Sequence, residues 1–545
     1  MKLSLCMIVK DEEDNIRECL KNIRKAVDEI IVVDTGSSDK TPVIAEELGA
    51  KVYHFRWCND FSAARNESIR HATGDYIIYI DADDRISEDD AEKIADLRNK
   101  FPKKKDIAYS LKIMLPSPEK ILNSAYQVRI FPNLPDVRFE YPIHEQIVPS
   151  LKRKGIRGLF TDIVIEHKGY EDYTLLRKKA KRNLRILKEL LSKDPDSWFA
   201  HYFLAQTYEV LNEKELCEFH IKNSLTEECK KLDPNWFIGA SLKYSQLLTE
   251  KGDRKAAIEL LRKLEEEFPD HDIVRFFIAE MDMEEGNYRE ALNRYITVRP
   301  EKLSLVTIPI SEDKIRYKYY LHIGQCNEAV EYNRLAMDAY KKAYELAYTS
   351  EFKKEALIKI IRLFIKMDKL GEAIPYMEKY AELHPSARSY NLLALGYMKE
   401  GLYEMAENSL KDAISIDPRY WKAILKLAEL YIQTDKFPKA EEILNELLEN
   451  RSIDKQHRLT VLLMLAFIHV SRVDLEGFLH NTDLILKHLN IRASVGSFQD
   501  LYYIYERISE QFGGLSQIWI ESIKKYLNML SAGGSFSYAH SVTQA

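Results

Sequence analysis

Two aspartates follow an apolar run within the first hundred residues. The run Asp75–Ile80, with the letters DYIIYI, leads into Asp81, and Asp83 stands two positions further along. In an extended chain, side chains two positions apart point to the same side, so both carboxylates can bind one divalent cation. Aspartate is also common in turns and at helix N-termini, which gives a purely structural alternative. The position of the pair behind a buried strand strengthens the metal interpretation.

Two further polar clusters could bind a ligand. Asp34 opens the segment DTGSSD, and its carboxylate can accept hydrogen bonds from a ribose or a base edge. Asp39, at the end of that segment, is better explained as a helix cap. The segment Trp57–Asn66 contains Arg65, which would lie in the second turn of a helix and face a cleft, where it can pair with phosphate. A salt bridge on the helix surface is the alternative for Arg65.

Strands and helices alternate in the predicted structure that positions these residues. The predicted strands are 3–9, 29–34, 51–55 and 75–80, and the predicted helices are 13–25, 41–48 and 62–71. This alternation, with strands that are apolar on both faces, predicts an α/β domain whose mainly parallel sheet is covered by helices. Such sheets bind ligands beyond the carboxyl ends of their strands, and most of the polar clusters lie there.

The composition limits the class of protein. The chain has 545 residues, 46% of them hydrophobic and 30% charged, which is typical of a globular protein with about two to four domains. The net charge of -6 disfavours a nucleic-acid-binding protein. No apolar run reaches about 18 residues, so we expect no transmembrane segment. The six cysteines form no CxxC pair, and we expect reduced thiols in a cytoplasmic protein.

Four sequence blocks together resemble the inverting family-2 glycosyltransferases of the GT-A fold. They are SLCMIVKDEEDNI, EIIVVDTGSSDKT, FSAARNESI and ATGDYIIYIDADD, and the resemblance covers residues 1–170. It implies that the first strand and the acidic loop after it hold the nucleotide base. The residues of this sequence that match are Val9, Glu12 with Lys10 beside it, and Asp34. Asp81 and Asp83 match the motif that binds Mn²⁺ or Mg²⁺ beside the sugar-nucleotide diphosphate.

Later blocks resemble one branch of that family, which is often fused to tetratricopeptide repeats. These blocks are QVRIFPN, FEYPIHE and IEHKGY, between residues 127 and 170. The branch includes bacterial enzymes related to lipopolysaccharide-core glucosyltransferases and to S-glycosyltransferases of glycopeptide bacteriocins. Pro132 departs from the pattern, where a basic or polar residue is more usual, and this puts the local loop geometry in doubt.

The resemblance suggests roles for residues in these later blocks. An inverting transfer needs a base that removes the proton of the acceptor. Glu145 is our candidate, since the family places its segment near the acceptor, and His144 is the rival, because an unperturbed imidazole titrates near 6.5. His167 is a candidate third metal ligand or diphosphate contact, with a structural histidine as the alternative. Arg129 is a candidate to contact phosphate or to orient the base.

The remainder of the chain is repetitive. Six residues recur after 34 positions: Leu393, Ala394, Tyr397, Tyr403, Ala406 and Leu410 return as Leu427, Ala428, Tyr431, Phe437, Ala440 and Leu444. Two-helix units of this length stack because no unit can bury its apolar face alone. The pattern resembles the tetratricopeptide repeat, and we predict an all-α solenoid of about five to seven repeats over 171–450. Residues 451–545 are predicted to be a helical cap or degenerate repeats with a frayed tail.

The leading hypothesis is therefore a glycosyltransferase that moves a sugar from a nucleoside-diphosphate sugar to an acceptor. The resemblance makes uracil the expected base. A peptide, protein or glycan acceptor could be recruited by the repeats, which could also form a homodimer. The alternative is a non-catalytic repeat scaffold with a nucleotide-binding or decayed glycosyltransferase domain. A nucleotidyltransferase is disfavoured, because the acidic segment Lys10–Glu13 stands where a glycine-rich phosphate loop would be needed.

Overall fold

The computed structural model describes residues 1–116, 122–168, 173–303, 311–449, 453–493, 495–511 and 515–533. The chain divides into two compact units, Met1–Tyr348 and Thr349–Ala545. The first unit begins with a sheet domain and continues with helical hairpins, and the second is helical throughout its described part. None of the helices in these ranges is long and apolar enough to cross a membrane.

The sheet contains eight strands within the described residues. Their bounds are β1 (Leu3–Val9), β2 (Glu29–Asp34), β3 (Lys51–His54), β4 (Tyr76–Tyr79), β5 (Asp84–Arg85), β6 (Ile107–Pro116), β7 (Leu122–Pro132) and β8 (Arg157–His167). The strand order is β3-β2-β1-β4-β7-β6-β8-β5. The first four strands are parallel, as predicted. The second half is mixed, because β7 runs antiparallel to β4 and β6, whereas β8 runs parallel to β6.

Five helices accompany the sheet in this described part: α1 (Ile16–Ile23), α2 (Thr41–Glu47), α3 (Phe61–His71), α4 (Glu88–Asn99) and α5 (Val148–Arg153). Strand β1 is buried on both faces. Leu5 and Met7 pack into the core on the side of α1, whereas Cys6 packs into the core on the other side. The continuous apolar run of β1 therefore reflects a sheet covered by helices on both faces.

Helices follow from residue 173 in the first unit. They are α6 (Tyr173–Lys193), α7 (Trp198–Leu211), α8 (Lys214–Ser224), α9 (Glu227–Leu232), α10 (Pro234–Glu250), α11 (Arg254–Glu267), α12 (Asp272–Glu284), α13 (Tyr288–Tyr295), α14 (Glu312–Ala329) and α15 (Asn333–Leu346). The second unit contains α16 (Ser350–Lys366), α17 (Leu370–Leu383), α18 (Ala387–Lys399), α19 (Tyr403–Ile416), α20 (Trp421–Gln433), α21 (Phe437–Glu449), α22 (Lys455–Ser471), α23 (Leu475–Leu489), α24 (Phe498–Ser509) and α25 (Leu515–Gly533).

The hairpins confirm the predicted all-α solenoid. Between residues 198 and 449 the described residues form seven of them, α7/α8, α10/α11, α12/α13, α14/α15, α16/α17, α18/α19 and α20/α21. In several hairpins a residue with a left-handed backbone conformation lies between the two helices. Gly252 and Gly286 have φ of +89° and +82°, and Gly401 has +73° between α18 and α19. Glycine suits these turns because a side chain disfavours positive φ.

The end of the chain forms further helices with a core of their own. Leu463, Phe478, Tyr505 and Ile523, from the four helices α22–α25, are buried in one cluster. The predicted helix 459–471 is part of α22, and the predicted helix 498–512 is α24, which ends at Ser509. The predicted frayed tail begins at Ala532, but Ala532 and Gly533 are the last residues of α25, and the rest of the tail lies outside the described residues. So do residues 169–172, where the boundary after 170 was predicted.

Candidate active site

Four potential metal ligands converge beyond the end of β4. One ligand atom from each of Asp81, Asp83, Asp84 and His167 lies within 4.8 Å of the others. Three carboxylates and one imidazole form a ligand set that suits Mn²⁺ or Mg²⁺. Asp81, Asp83 and His167 were predicted, whereas Asp84 was not.

The local chain path explains how the aspartates meet. Strand β4 ends at Tyr79, and the backbone N–H of Asp84 donates to the carbonyl of Asp81 at 3.0 Å, so the segment turns. The predicted reason, alternation along an extended strand, was therefore wrong, although the residues do converge. The turn also brings the Asp84 carboxylate back to the N–H of Asp81, at 2.8 Å.

Sheet pairing brings His167 to this turn. Asp84 in β5 lies opposite His167 in β8, and the two side chains meet with 2.9 Å between Asp84 Oδ1 and His167 Nδ1. Asp84 is fully buried and His167 is 9% exposed. Burial lowers the pKa of His167, but the hydrogen bond to Asp84 and the charge of Asp83 outweigh it, so the pKa is raised.

Two buried arginines neutralise part of the acidic cluster. Arg65 Nη2 lies 2.5 Å from Asp81 Oδ1, and Arg129 Nη1 lies 3.5 Å from Asp81 Oδ2. Burial alone would raise the pKa of Asp81, but the two guanidinium groups hold it below its usual value. Both guanidinium groups also lie over the ring of Tyr79, with distances of 4.8 and 4.6 Å to its centroid.

Asp83 has a different environment. Its side chain is 22% exposed, and burial together with the charges of the neighbouring carboxylates raises its pKa, in spite of His167. Arg65 Nη1 and Arg129 Nε are buried donors without a hydrogen-bond partner among the described residues. Buried donors of this kind are rare unless a ligand completes them, so the cluster offers both cation ligands and anion-binding groups.

Arg65 also connects the cluster to the candidate base. Its Nε donates to Glu145 Oε1 at 2.7 Å, and Glu145 is 15% exposed. Helix α3 positions Arg65, because Asp60 caps it by accepting a hydrogen bond from the N–H of Ala63. The sequence predicted Arg65 in the second turn of a helix, and the structure places it in α3, where it is 5% exposed.

His144 lies away from this network. Its ring stacks on Phe203 of α7, with centroids 4.0 Å apart and an interplanar angle of 8°. Burial, helped by the charge of Arg182, lowers the pKa of His144 to about 4.

The residues predicted to hold the nucleotide base lie at the ends of β1 and β2 and in the loop after β1, which is hydrogen-bonded to the loop after β2. Ser38 N donates to Asp11 Oδ1 at 2.7 Å, and Glu12 N donates to Thr41 Oγ1 at 2.7 Å. These bonds explain why α1 starts at Ile16, three residues later than predicted, since they hold the preceding segment in a loop.

The individual base-binding candidates differ in exposure. Lys10 is exposed, Val9 is buried, and Glu12 is half-buried with a pKa raised by burial. Asp34 is buried and accepts hydrogen bonds from the N–H groups of Gly36 and Ser37, so its carboxylate shapes its own loop. Pro132 ends β7 opposite Tyr76, so the departure at this position leaves the strand intact.

Parts of the chain match known protein families. Residues 4–105 match the family model "Glycosyl transferase family 2", and residues 240–271 and 397–456 match tetratricopeptide-repeat models. The chain carries a family-2 glycosyltransferase domain followed by tetratricopeptide repeats. The glycosyltransferase domain provides the acidic turn at β4, and the repeats account for the helical hairpins.

Relatives align with parts of this chain. The chain is 38% identical over 202 residues to a TPR repeat-containing protein of Synechococcus elongatus, covering 36% of this chain and 49% of the relative. It is 27% identical over 287 residues to the SPbeta prophage-derived glycosyltransferase SunS of Bacillus subtilis, covering 51% of this chain and 67% of SunS. The chain thus spans about half the length of the first relative and about two thirds of the second.

A solved structure also aligns with the repeats. YrrB, described as a TPR protein with an unusual peptide-binding site, is 16% identical with a TM-score of 0.28, covering 35% of this chain and 92% of YrrB.

Proposed function

We propose that this protein transfers a sugar from a nucleoside-diphosphate sugar to an acceptor, with inversion at the anomeric carbon. The convergence of Asp81, Asp83 and His167 with Arg65 and Arg129 carries the proposal. Cation ligands beside buried, unpartnered arginine donors are the combination that a diphosphate leaving group requires. The family-2 glycosyltransferase match of residues 4–105 supports the same reaction.

The side chains around the turn Asp81–Asp84 have different proposed roles in binding the donor. Mn²⁺ or Mg²⁺, held by Asp81, Asp83 and His167, would neutralise the charge that develops on the departing diphosphate. Arg65 and Arg129 offer further donors to phosphate oxygens. Asp84, missed by sequence reasoning, holds the His167 ring and the Asp81 backbone in place. Such second-layer hydrogen bonds orient the groups that bind a ligand.

Glu145 is the proposed general base. An inverting displacement needs a base on the face of the sugar opposite the leaving group. Arg65 fixes the Glu145 carboxylate at 2.7 Å and keeps it beside the donor-binding cluster. His144 remains the alternative, but its buried ring and its pKa of about 4 make it a weaker proton acceptor at neutral pH.

The donor is proposed to be a UDP-sugar. Its uracil base would be held by Val9, Lys10, Glu12 and Asp34. The joined loops after β1 and β2 support this assignment, because they lie at the carboxyl ends of adjacent parallel strands. Asp34 contributes through the loop that it shapes.

The acceptor is proposed to be a peptide or protein recruited by the repeats. Stacked hairpins present an extended surface suited to a chain-like partner, and the helices of both units provide such surfaces. A glycan acceptor, a homodimer through the repeats and a cytoplasmic location stay predictions from sequence.

Calorimetric titration of UDP, with and without Mn²⁺, tests the proposal. Wild type should bind UDP in a manganese-dependent way, and Asp83→Ala should lose this binding. Asp162→Ala is the matched control, because Asp162 lies on β8 with its side chain 85% exposed. If the wild type bound neither UDP, GDP nor dTDP, the repeat scaffold without catalysis would become the leading account.

A further inference from the structure

The segment that carries Glu145 is a closed turn. Glu140 and Gln146 exchange two backbone hydrogen bonds of 2.9 Å and enclose the five residues 141–145 between them. Gln146 Nε2 also donates to the carbonyl of His144 at 2.9 Å. We call residues 140–146 the Glu145 turn.

Two residues of the Glu145 turn have unfavourable backbone conformations. Tyr141 has a φ of 71° and His144 a φ of 52°, and neither is a glycine. Left-handed conformations of this kind cost of order 1–3 kcal/mol each, so they persist only where the surroundings enforce them. The turn therefore needs external support.

Helix α7 supplies that support through a pair of aromatic rings. Tyr141 stacks on Phe199, with centroids 3.6 Å apart and an interplanar angle of 8°, and His144 stacks on Phe203 in the same manner at 4.0 Å. Phe199 and Phe203 are four positions apart and thus lie on one face of α7. The two left-handed residues are the two that stack on α7.

The remaining sides of the turn are held by the sheet domain and by α6. Phe61 N donates to the carbonyl of Pro142 at 2.8 Å, which ties the turn to the start of α3. Ile143 is buried in the same core cluster as Ile186 and Leu187 of α6. Glu145 is the residue of the turn that points to Arg65.

We propose that Phe199 and Phe203 are positioning residues for the transfer reaction, which hold the Glu145 turn so that the Glu145 carboxylate stays in the site. The first helical hairpin of the repeats then supports the catalytic centre, in addition to the proposed role of the repeats in recruiting the acceptor. This inference rests on the proposed function, because it assigns the rings a role through the proposed base.

Phe203→Leu tests this role by removing one stack while keeping an apolar side chain. We expect kcat for hydrolysis of a UDP-sugar to fall by about tenfold to a hundredfold, since small displacements of catalytic groups have such effects. The panel of donors is UDP-glucose, UDP-galactose and UDP-N-acetylglucosamine, and the one that wild type hydrolyses is used. Donor KM and manganese-dependent UDP binding should stay within about twofold, because Asp81 and Asp83 are untouched.

Two further variants separate positioning from stability. Phe276→Leu is the matched control, because Phe276 is 1% exposed on α12, with its ring also in aromatic contacts, against Tyr295 and His322. It should lower the unfolding temperature but leave kcat within about twofold at 20 °C. Phe203→Tyr keeps the ring and should restore most of the activity that Phe203→Leu loses.

The outcomes also separate this inference from the proposed function. An active wild type with an equally active Phe203→Leu would overturn the positioning role alone, and so would a loss that appears only as weaker UDP binding. A wild type that neither binds UDP nor hydrolyses any donor would overturn the proposed function and this inference with it.

Discussion

Asp81 and Glu145 accept hydrogen bonds from the same guanidinium. Arg65 Nη2 lies 2.5 Å from Asp81 Oδ1, and Arg65 Nε lies 2.7 Å from Glu145 Oε1. The carboxylate assigned to the donor diphosphate and the carboxylate assigned to the acceptor are thus held by one planar guanidinium. Since the arginine fork is planar, it fixes the separation of the two carboxylates as well as their charge.

Replacing Arg65 by lysine should break this arrangement while keeping the positive charge. One ammonium group cannot reproduce two directed hydrogen bonds from different nitrogen atoms. We expect kcat for UDP-sugar hydrolysis to fall at least tenfold and the unfolding temperature to drop, because a partly buried carboxylate loses its partner. Arg70→Lys is the control, since Arg70 is exposed on the same helix and pairs with Glu67. Equal activity of the two variants would contradict the bridging role.

The choice of base can be made by comparing Glu145→Gln with His144→Phe. Removal of a general base typically lowers the rate 10²–10⁴-fold, and we expect a loss of this size for Glu145→Gln. Phenylalanine at position 144 keeps a ring to stack on Phe203 but cannot accept a proton, so the loss should stay below about tenfold. Single-turnover hydrolysis with saturating donor measures the rate of each variant. A larger loss in His144→Phe would make His144 the base.

Much of this site could be predicted because it depends on short-range signals. Apolar runs followed by acidic residues predict the strand ends, and Asp60, which caps α3, is of a residue type that commonly precedes a helix. The 34-residue period predicts the hairpins, because each unit repeats the same burial pattern. Tyr397 and Tyr431, one period apart, are both buried.

The missed features depend on long-range pairing and on backbone conformation. Asp84 was overlooked because an extended chain was assumed, whereas the segment turns after Ile80 and buries the Asp84 carboxylate beside His167. The pairing of β5 with β8 joins distant segments, and no local pattern specifies it. The left-handed Tyr141 and His144 were also unpredictable, since the support for them comes from α7.

Gly74 is expected to be intolerant of any side chain. A Cβ built at this position would lie 2.4 Å from Ser4 Oγ and 2.8 Å from Ser4 N, where β1 and the segment before β4 approach each other. Gly74→Ala should therefore shift the chain and destabilise the sheet domain by roughly 1–3 kcal/mol. Gly158→Ala is the control, because its Cβ meets nothing within 4 Å. Thermal unfolding of both variants is the measurement, and equal stability would contradict the close approach.

Glu29 should make the sheet domain sensitive to acid. Its Oε1 accepts hydrogen bonds from Ser4 Oγ at 2.6 Å and from Thr73 N at 2.5 Å. Burial raises the pKa of Glu29, but these bonds outweigh it and lower the pKa from 4.5 to about 2. A carboxylate with a lowered pKa contributes stability above its unfolded value, and this contribution is lost as the pH falls from about 4.5 towards 2.

Comparison of Glu29→Gln with wild type tests this pH dependence. At pH 7 the variant should be less stable by roughly 1.5–3 kcal/mol, because an amide cannot reproduce the charged hydrogen bonds that Ser4 and Thr73 donate to the carboxylate. The difference in stability should shrink as the pH is reduced from 5 to 3, because wild type loses the interaction there while the amide does not titrate. Glu18→Gln, at an exposed position on α1 beside Lys21, is the control and should show little change. Unfolding by heat across this pH range is the measurement. A constant difference between wild type and Glu29→Gln would show that ionisation of Glu29 does not stabilise its contacts with Ser4 and Thr73.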